Sequence, residues 1–369
     1  MLQRLDLDRN IHVLITTPSG VTGRGGIDRV MGSLKAELER QGPCDVEASF
    51  ASTRGTGYVA LSLFHTLRFC FKMLFGRLFG RVDVVHINVS SNGSTYRKMV
   101  IAWWARLLRI PYVLHLHSGY YHAFWSDRDT LLNRLIRDMF EAAAQVVVLG
   151  RVWRDLVAAR APRTASSIVI IPNATEVPSR AHVGGGERVH ILFLGRLSDG
   201  KGVPQLGAAL KNMEQLPGWR ATIAGDGEVE AARRKAVELG LHDRVDIPGW
   251  VGPDQVATLL AEADILVLPS FIENLPLSVI EGMASGLAIV TTPVGAVEDI
   301  ITNEETGLLV PPGDVAALTT ALTRLVEDPA LRTRLGQAAM AVHRERLELA
   351  PFANSIRNVW KLAAGRRTR

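Results

Sequence analysis

Cysteine is scarce in this sequence, and long uncharged apolar runs are missing. The 369 residues include two cysteines, Cys44 and Cys70, which form no CxxC pair. A disulfide framework and a thiolate metal site are therefore unsupported, and a reducing cytosolic compartment fits the composition. Because no uncharged apolar run reaches about 18 residues, we expect no transmembrane helix. The polar opening MLQRLDLDRN also gives no sign of a signal peptide.

Basic residues are concentrated in the first half of the chain. Residues 1–185 contain 23 Lys or Arg and 14 Asp or Glu, whereas residues 186–369 contain 19 and 23. A basic first half indicates an anionic partner for that half, although solubility alone would also explain the excess. Apolar residues make up 47% and charged residues 21%, as in ordinary globular proteins. The length predicts two domains.

Strands and helices alternate on both sides of a Gly-, Pro- and Ser-rich segment at 173–188. This pattern predicts two doubly wound α/β domains joined by a linker. In the first half, the predicted strands are Ile11–Thr16, Val82–Asn88, Tyr112–Leu116, Ala144–Gly150 and Ser167–Asn173. The predicted helices there are Asp28–Arg40, Tyr58–Gly80 and Tyr96–Arg109. A DxD pair, Asp6 and Asp8, precedes the first strand on a polar tail, where no metal role is expected.

One stretch, Asp264–Pro293, reads as strand, loop, helix and strand. Its predicted elements are the strand Ile265–Leu268, the helix Leu277–Ser285 and the strand Ala288–Thr291. A helix that begins just after a parallel strand offers an anion site at its N-terminus. Glu273 in the loop and Glu281 in the helix can then accept hydrogen bonds from hydroxyls of a phosphorylated ligand. The alternative is that both are solvated surface carboxylates.

Two cations follow the first predicted strand of the second domain, in the segment GRLSDGKG. Arg196 and Lys201 stand in a glycine-rich loop just before a helix. Two cations beside a helix N-terminus can neutralise a diphosphate without a metal ion. The alternative is an ordinary basic turn.

The first domain carries two candidate ligand positions at the ends of its strands. The loop PSGVTGRGGIDRV contains Gly25 and Gly26 in a phosphate-binding position, although it lacks the dinucleotide pattern G-x-G-x-x-G. A flexible turn is the alternative there. His117 ends the strand PYVLHLHSG, where open α/β sheets place ligand groups. His115, two residues earlier on the same face of that strand, is the competing candidate.

The second and third predicted helices of the first domain are basic and amphipathic. Their apolar positions are Phe64, Leu67, Phe71, Leu74, Phe75 and Leu78, followed by Val100, Trp103 and Leu107. Cations flank them at Arg68, Lys72, Arg77, Arg81, Lys98, Arg106 and Arg109. We expect these helices to meet an anionic membrane, and the alternative is that the apolar arcs only cover the sheet.

The spacing E-x7-E, together with GRL-x3-KG, Gly25-Gly26 and the HSG strand end, resembles retaining glycosyltransferases of the GT-B fold in the large family 4. Members of that family usually read E-G-F-G-L in the loop. This chain has Glu273, Asn274, Leu275, Pro276 and Leu277 instead. Because Pro276 cannot donate a backbone hydrogen bond, the phosphate cradle should depend on neighbouring amides such as those of Leu275 and Leu277.

The resemblance implies an α/β GT-B architecture of two Rossmann-like domains. Residues 1–175 would form the acceptor domain, residues 186–348 the donor domain, and 349–369 a crossover helix with a basic tail. The helix itself is predicted at Pro351–Ala363, carrying Phe352, Ile356, Val359 and Trp360, and should cross back onto the first domain.

The resemblance also implies roles for single residues. Gly25-Gly26 would face the donor diphosphate and the acceptor, and His117 would reach the donor sugar. Glu281 would bind the ribose hydroxyls, and Glu273 the sugar hydroxyls. Further family-like segments are the glycine loop Gly225-Asp226-Gly227, the turn Gly249-Trp250-Val251 beside the nucleotide base, and the stretch Glu305–Asp314.

The activity expected from this resemblance is metal-independent, retaining transfer of a sugar from a UDP- or GDP-sugar, without a cofactor. The acceptor would be a glycan, foremost a polyprenyl-linked glycan of surface polysaccharide synthesis at the inner face of the cell membrane. No nucleic acid partner is expected. The alternatives are a nucleotide-sugar 2-epimerase of GT-B architecture, a nicotinamide-dependent oxidoreductase and a non-enzymatic basic adaptor.

Overall fold

The computed structural model describes residues 10–23, 25–42, 44–55, 61–184 and 186–365. These residues form two compact units. Unit 1 contains the chain up to Pro172 together with the segment that begins at Leu349, and unit 2 runs from Asn173 to Glu348. The DxD pair, the predicted start of the second helix at Tyr58 and most of the basic tail lie outside the described residues.

Unit 1 is built on a six-stranded sheet in which every neighbouring pair of strands is parallel. The strand order is β2-β1-β3-β4-β5-β6. The strands are β1 Ile11–Thr17, β2 Val46–Ser52, β3 Val84–Val89, β4 Tyr112–Leu116, β5 Gln145–Val148 and β6 Ile168–Ile170. The helices are α1 Gly26–Arg40, α2 Ser62–Leu78, α3 Gly93–Leu107, α4 Tyr121–Phe124, α5 Leu131–Glu141 and α6 Arg151–Arg160.

The last strand of this sheet differs from the prediction of a buried strand. The region predicted as Ser167–Asn173 contributes only β6, Ile168–Ile170, whose residues are half-buried or exposed. The physical reason is its place at the edge of the sheet, where it pairs on one side with β5. In contrast, every residue of the central strands β3 and β4 is buried, as expected for parallel strands covered on both faces.

The alternative that the apolar arcs of α2 and α3 cover the sheet is wrong. Both helices turn a different side inward, formed by smaller or less apolar residues. On α2 the buried residues are Ser62, Thr66, Phe69, Cys70 and Met73. On α3 they are Thr95, Lys98, Ile101, Ala102 and Ala105. The predicted arcs therefore remain on the outer surface of unit 1.

The C-terminal helix returns to unit 1, as the resemblance implied. This helix, α13 Leu349–Ala363, contacts α1 and the central strands. The four predicted apolar positions, Phe352, Ile356, Val359 and Trp360, are all buried. The indole Nε1 of Trp360 donates a hydrogen bond of 2.9 Å to Nδ1 of His86 on β3. Among the described residues, no helix combines the length and apolarity that crossing a bilayer requires.

Unit 2 repeats the architecture with a second parallel six-stranded sheet of order β12-β11-β10-β7-β8-β9. Its strands are β7 Val189–Leu194, β8 Trp219–Ala224, β9 Val245–Gly249, β10 Ile265–Leu268, β11 Ala288–Thr291 and β12 Leu308–Leu309. Its helices are α7 Val203–Asn212, α8 Val229–Glu238, α9 Pro253–Glu262, α10 Leu277–Ala284, α11 Val315–Glu327 and α12 Pro329–Arg346. The prediction of two doubly wound α/β domains is thus confirmed.

Candidate active site

The strand order of unit 2 reverses between β7 and β10, which pair side by side through Ile191–Ile265 and Leu192–Leu266. From β7 the chain proceeds to β8 and β9 on one side, and it later fills the other side with β10 to β12. In open α/β sheets, the loops that leave the strands at such a switch point diverge and open a crevice for ligands. The two loops that follow β7 and β10 carry the predicted site residues Arg196, Lys201 and Glu273.

The loop after β7 is held by tight contact with the glycine loop after β8. The amide of Leu197 donates to the carbonyl of Asp226 at 2.6 Å. Gly225 has a φ of +153°, and a Cβ there would lie 1.8 Å from the carbonyl oxygen of Gly195. A glycine is therefore required where the two loops cross. This contact fixes the backbone on which Arg196 stands, with its side chain exposed to solvent.

Lys201 and Glu273 meet at the switch point. The ammonium Nζ of Lys201 lies 2.5 Å from Oε1 of Glu273, and the hydroxyl of Ser270 donates to the same oxygen at 2.8 Å. The Glu273 side chain is 10% exposed and that of Lys201 is 29% exposed. A ligand can therefore reach the pair from one side, while Ser270 fixes the carboxylate from within the protein.

The backbones of the two loops also touch. The amide of Phe271 donates to the carbonyl of Gly200 at 3.0 Å. Gly202 adopts the left-handed φ of +71°, and a Cβ on it would lie 2.1 Å from the carbonyl oxygen of Pro269. This close approach explains why Lys201 is followed by glycine: only glycine combines that φ with that contact. The approach positions Lys201 opposite Glu273.

The loop Glu273–Leu275 is held by hydrogen bonds from other segments of unit 2. The carbonyl of Asn274 accepts from the amide of Ala296 at 2.7 Å, and that of Leu275 accepts from the side chain of Asn173 at 2.9 Å. Leu275 and Asn274 are buried. These bonds hold the segment that leads into α10, so the carboxylate of Glu273 stands on a fixed backbone.

Helix α10 begins at Leu277, directly after Pro276, whose ψ of 128° is extended. The first amides of a helix have no intrahelical partner and carry the positive end of its dipole. Pro276 supplies no amide, so this end offers one donor fewer than the usual glycine-containing loop. Glu281 lies four residues further, about 6 Å along the axis at 1.5 Å per residue, with a half-buried side chain.

The turn predicted to pass a nucleotide base lies two strands from the switch point. Gly249 ends β9, and its carbonyl accepts from the amide of Gly225 at 2.8 Å. Trp250 follows with 49% of its surface exposed, and Val251 is half-buried. The turn therefore adjoins the glycine loop that supports Arg196.

In unit 1 the strand order reverses between β1 and β3, and the glycine-rich loop follows β1. Asp28, on the first turn of α1, accepts hydrogen bonds from the amide of Ser19 at 3.1 and 3.2 Å, which fold this loop back. No described heavy atom lies within 4 Å of a Cβ built on Gly26, and the nearest to Gly25 is an Asp28 oxygen at 3.7 Å. The space above Gly25-Gly26 is therefore open.

Lys98, predicted as one of the cations that flank the apolar arc of α3, is instead buried beside this loop. Lys98 is 2% exposed, and its Nζ donates to the hydroxyl of Thr53. Burial, and then the charge of Arg97, lower the pKa of Lys98 well below its usual range, and the carboxylate of Asp28 partly offsets this. The available signal was its helical spacing with small residues of the buried side of α3, Thr95, Ala102 and Ala105.

Two histidines compete for the position at the end of β4. His115 is fully buried, and its Nδ1 lies 3.3 Å from Nε2 of His86. His117 is half-buried, and its Nε2 lies 2.8 Å from Oδ1 of Asn88. Because the Asn88 amide nitrogen donates to the carbonyl of Thr16, its oxygen is left to accept from His117. Of the two, only His117 has surface that a ligand can touch.

The histidine cluster is uncharged at neutral pH. Burial, and then the neighbouring His86, lower the pKa of His117 to about 3. Burial also lowers the pKa of His86 to about 4, although a hydrogen bond to Asn88 acts to raise this pKa. Burial likewise lowers the pKa of His115. His117 can therefore orient a ligand through hydrogen bonds as a neutral ring, but it carries no proton to give as an imidazolium.

Comparison with known proteins agrees with this geometry. A family model described as glycosyl transferases group 1 matches residues 179–342, which lie in unit 2. A second model, described as a glycosyl transferase 4-like domain, matches residues 25–174. The two models together match most of the chain, including every predicted site residue.

Two relatives come from Streptomyces. The alpha-D-kanosaminyltransferase of Streptomyces kanamyceticus is 25% identical over 70% of this chain and 72% of its own length. The 2-deoxystreptamine N-acetyl-D-glucosaminyltransferase of Streptomyces fradiae is 30% identical over 67% of this chain, which spans 63% of that relative. Both names describe glycosyl transfer and favour it over the epimerase and oxidoreductase alternatives.

Solved structures match the fold across nearly the whole chain. Sucrose-phosphate synthase from Thermosynechococcus elongatus superimposes with a TM-score of 0.76 at 20% identity, covering 95% of this chain and 98% of its own. HepE of Anabaena, solved with UDP-glucose, gives 0.74 at 18% identity, covering 95% and 99%. Together with the two family models, these matches establish that the chain belongs to the group 1 glycosyltransferases and has the GT-B fold.

Proposed function

We propose that this glycosyltransferase uses a nucleotide-diphosphate sugar, a UDP- or GDP-sugar, and retains the configuration of the transferred sugar. The observation that carries the proposal is the Lys201–Glu273 pair at the switch point of unit 2, with Arg196 on the same loop. A diphosphate leaving group develops negative charge as its bond to the sugar breaks, and positioned cations stabilise that charge. The UDP-glucose bound by HepE supports this donor class by analogy.

In this proposal Arg196, Lys201 and the start of α10 neutralise the diphosphate without a metal ion or cofactor. Glu281 accepts hydrogen bonds from the ribose, and Glu273 from the sugar. The turn Gly249-Trp250-Val251 lies along the base. In unit 1, Gly25-Gly26 and His117 serve the donor diphosphate and the sugar.

Retention follows in this proposal from attack on the same face of the sugar. The bond between the anomeric carbon and the phosphate oxygen breaks as the acceptor hydroxyl forms its bond on the face that the phosphate leaves. The hydroxyl proton passes to the departing phosphate oxygen. A covalent route would need a carboxylate nucleophile from unit 1. The buried carboxylate near the glycine loop, Asp28, is instead engaged by the amide of Ser19.

A donor screen tests the chemistry. Thermal shift with UDP, GDP and their sugars identifies the donor, and NMR of the product then gives the configuration at the anomeric carbon. The same reaction with chelator should proceed at an unchanged rate. An inverted product, or a strict requirement for Mg²⁺ or Mn²⁺, would contradict the mechanism. Conversion of the donor without acceptor would indicate an epimerase.

For the acceptor, we propose a lipid-linked glycan of surface polysaccharide synthesis, reached at the inner face of the cell membrane. The basic first half of the chain supports an anionic surface as the place of work. The second candidate is a small soluble acceptor, which the 2-deoxystreptamine in the name of one relative favours. Incubation with labelled donor and a membrane extract separates the two: label extracted into organic solvent supports the lipid-linked glycan, and label only in the aqueous phase contradicts it.

A further inference from the structure

Helix α2 exposes an apolar row along its whole length. Its members share helical spacing and are each between 47% and 68% exposed. They are Leu63, Phe64, Leu67, Phe71, Phe75 and Leu78. Burying large aromatic and aliphatic side chains away from water is favourable, so leaving them exposed costs free energy. Soluble proteins rarely expose them in continuous patches. A row of this kind indicates that something covers it.

The row is exposed although the helix itself is firmly packed. On its inner side, the hydroxyl of Thr66 donates to the carbonyls of Ser62 at 2.8 Å and Thr53 at 3.2 Å. Phe69, Cys70 and Met73 complete the buried side. The helix is thus fixed with Thr66, Phe69 and Met73 on its inner side. The outward apolar row is a property of the folded unit and does not come from a detached segment.

The neighbouring helix α3 extends the surface. The indole of Trp104 on α3 donates to the carbonyl of Cys70 on α2 at 3.1 Å, which ties the two helices together. A second exposed row runs along α3 at helical spacing, with each member between 49% and 59% exposed. It consists of Tyr96, Val100, Trp103 and Leu107. We call the two rows together the apolar face.

The charge around this face selects among possible partners. Between Ala48 and Ser126 the sequence has nine Lys or Arg, of which Lys98 is buried and Arg106 pairs with Asp138 of α5, and a single acid, Asp83. That acid is engaged within unit 1, where its carboxylate accepts from the amide of His12 at 2.9 Å. The cations of α2 are interspersed among the apolar row. They are Arg68, Lys72 and Arg77.

A second copy of this chain would bring two such basic faces together, which like-charge repulsion opposes. An anionic lipid surface instead satisfies both properties. Phenylalanine, tryptophan and leucine enter the boundary between head groups and acyl chains, and Lys and Arg extend to the phosphates while their stems stay in apolar surroundings. Each cation near such a surface adds attraction that salt screens, whereas apolar insertion persists in salt.

We propose that the apolar face of α2 and α3 inserts into the head-group region of an anionic membrane. This deepens the proposed function, on which it rests for the lipid-linked acceptor, by naming the surface that brings unit 1 to that acceptor. Insertion contributes the salt-resistant part of binding, and the flanking cations contribute the selectivity for anionic lipid. Charge alone would produce binding that salt abolishes.

Co-sedimentation of the full chain with vesicles tests the insertion. The vesicles contain equimolar phosphatidylglycerol and phosphatidylcholine, or phosphatidylcholine alone. The variant Phe64→Gln/Phe71→Gln/Phe75→Gln should lose binding by about tenfold or more at both low and high salt. The control variant Leu131→Gln/Val152→Gln/Val237→Gln, which removes three exposed apolar residues elsewhere, should bind like the wild type.

The charge variant Arg68→Gln/Lys72→Gln/Arg77→Gln/Arg81→Gln should lose the preference for phosphatidylglycerol. Lipids brominated near the head group should quench the tryptophan fluorescence of the wild type. The quenching should be smaller in Trp103→Phe and unchanged in Trp250→Phe. Unchanged binding by the phenylalanine variant would overturn the proposal. The proposal would also be overturned if the wild type bound no vesicles and formed dimers that the phenylalanine variant did not form. A second copy of the chain would then cover the apolar face.

A thermal shift with UDP and GDP on the same variants keeps this proposal separate from the proposed function. Nucleotide binding that survives while vesicle binding fails overturns the membrane surface alone. Vesicle binding in a chain that binds neither nucleotide supports the surface and counts against the proposed donor.

Discussion

Lys201 and Glu273 are 72 positions apart, yet the lysine Nζ lies 2.5 Å from the glutamate Oε1. Two loops from adjacent parallel strands bring them together, and the contact of Gly202 with the carbonyl of Pro269 sets the spacing. The cation proposed for the donor diphosphate thus also holds the carboxylate proposed for the sugar. A phosphate that attracts Lys201 must change the hydrogen bonding of Glu273, so the two roles are linked.

We expect Lys201→Ala and Glu273→Gln each to lower turnover by about 10²-fold, the scale for losing one charge-stabilising or orienting group. The double variant should lose little more than one single variant, because each change already breaks the pair. Steady-state kinetics of the four proteins measures this coupling. Losses that multiply to about 10⁴-fold would show that the two residues act independently.

Arg196→Ala provides the matched comparison, since Arg196 stands on the same loop with an exposed side chain. It should also lower turnover by about 10²-fold. Combined with Glu273→Gln, its effect should multiply. Near-normal turnover in both Arg196→Ala and Lys201→Ala would remove the assignment of these cations to the diphosphate.

Glu281→Ala and Glu273→Ala should affect different steps. Glu281 lies in the second turn of α10, whereas Glu273 stands before the helix beside Lys201. We therefore expect Glu281→Ala to weaken binding of the bare nucleotide, and Glu273→Ala to lower turnover with the sugar donor at similar nucleotide affinity. Calorimetry with the nucleotide, together with kinetics, separates these effects. A larger loss of nucleotide affinity in Glu273→Ala would exchange the two roles.

Gly202→Ala should lower both stability and turnover, for two separable reasons. Its left-handed φ of +71° disfavours any side chain, and a new Cβ would lie 2.1 Å from the carbonyl oxygen of Pro269. Gly218 has a similar φ of +79°, with no described atom within 4 Å of such a Cβ. Gly218→Ala should therefore cost only about 1 kcal/mol of unfolding free energy at normal turnover.

The glycine comparison is made by urea unfolding and kinetics on both variants. The larger loss of stability in Gly202→Ala measures the clash, and its loss of turnover measures the displaced loop. Equal stability losses with normal turnover in both would mean that the contact at Pro269 relaxes without moving Glu273.

Local patterns determine much of this fold, and their success has a physical basis. The strands Tyr112–Leu116, Ile265–Leu268 and Ala288–Thr291 were predicted to the residue, because each is a short apolar run that becomes fully buried between helices. Helix α10 was predicted to end at Ser285 and ends one residue earlier, at Ala284, shortly before Gly286 with its left-handed φ of +74°. The loop that carries Glu273 follows directly after the strand Ile265–Leu268.

What the sequence could not provide is the side of a helix that turns inward. The spacing of Phe64, Phe71 and Phe75 shows an apolar row but does not show whether the row meets the sheet or solvent. Thr66 faces inward, where its hydroxyl donates to the carbonyl of Thr53, a residue outside the helix. The contact between Lys201 and Glu273 likewise depends on strand order, which local periodicity does not specify.

The neutral histidine cluster should make folding stability depend on pH. The folded-state pKa of His117 is about 3, below the ordinary value of 6.5 that applies in the unfolded chain. Below pH 6.5 the unfolded chain therefore binds a proton that the folded chain does not, and stability falls as the pH falls toward 3. At pH 5 the loss from this residue is about 2 kcal/mol, at 1.36 kcal/mol per pKa unit.

His117→Gln should retain a hydrogen-bond donor to Asn88 but cannot titrate. Urea unfolding at pH 7.5 and pH 5.0 should show a pH-dependent loss that is smaller by about 2 kcal/mol in this variant than in the wild type. His122→Gln, which alters an exposed histidine, should leave that difference unchanged. Other buried groups contribute to the remaining slope, including His86, whose pKa is about 4. A variant that loses as much stability as the wild type would show that the His117 ring is not held neutral in the folded chain.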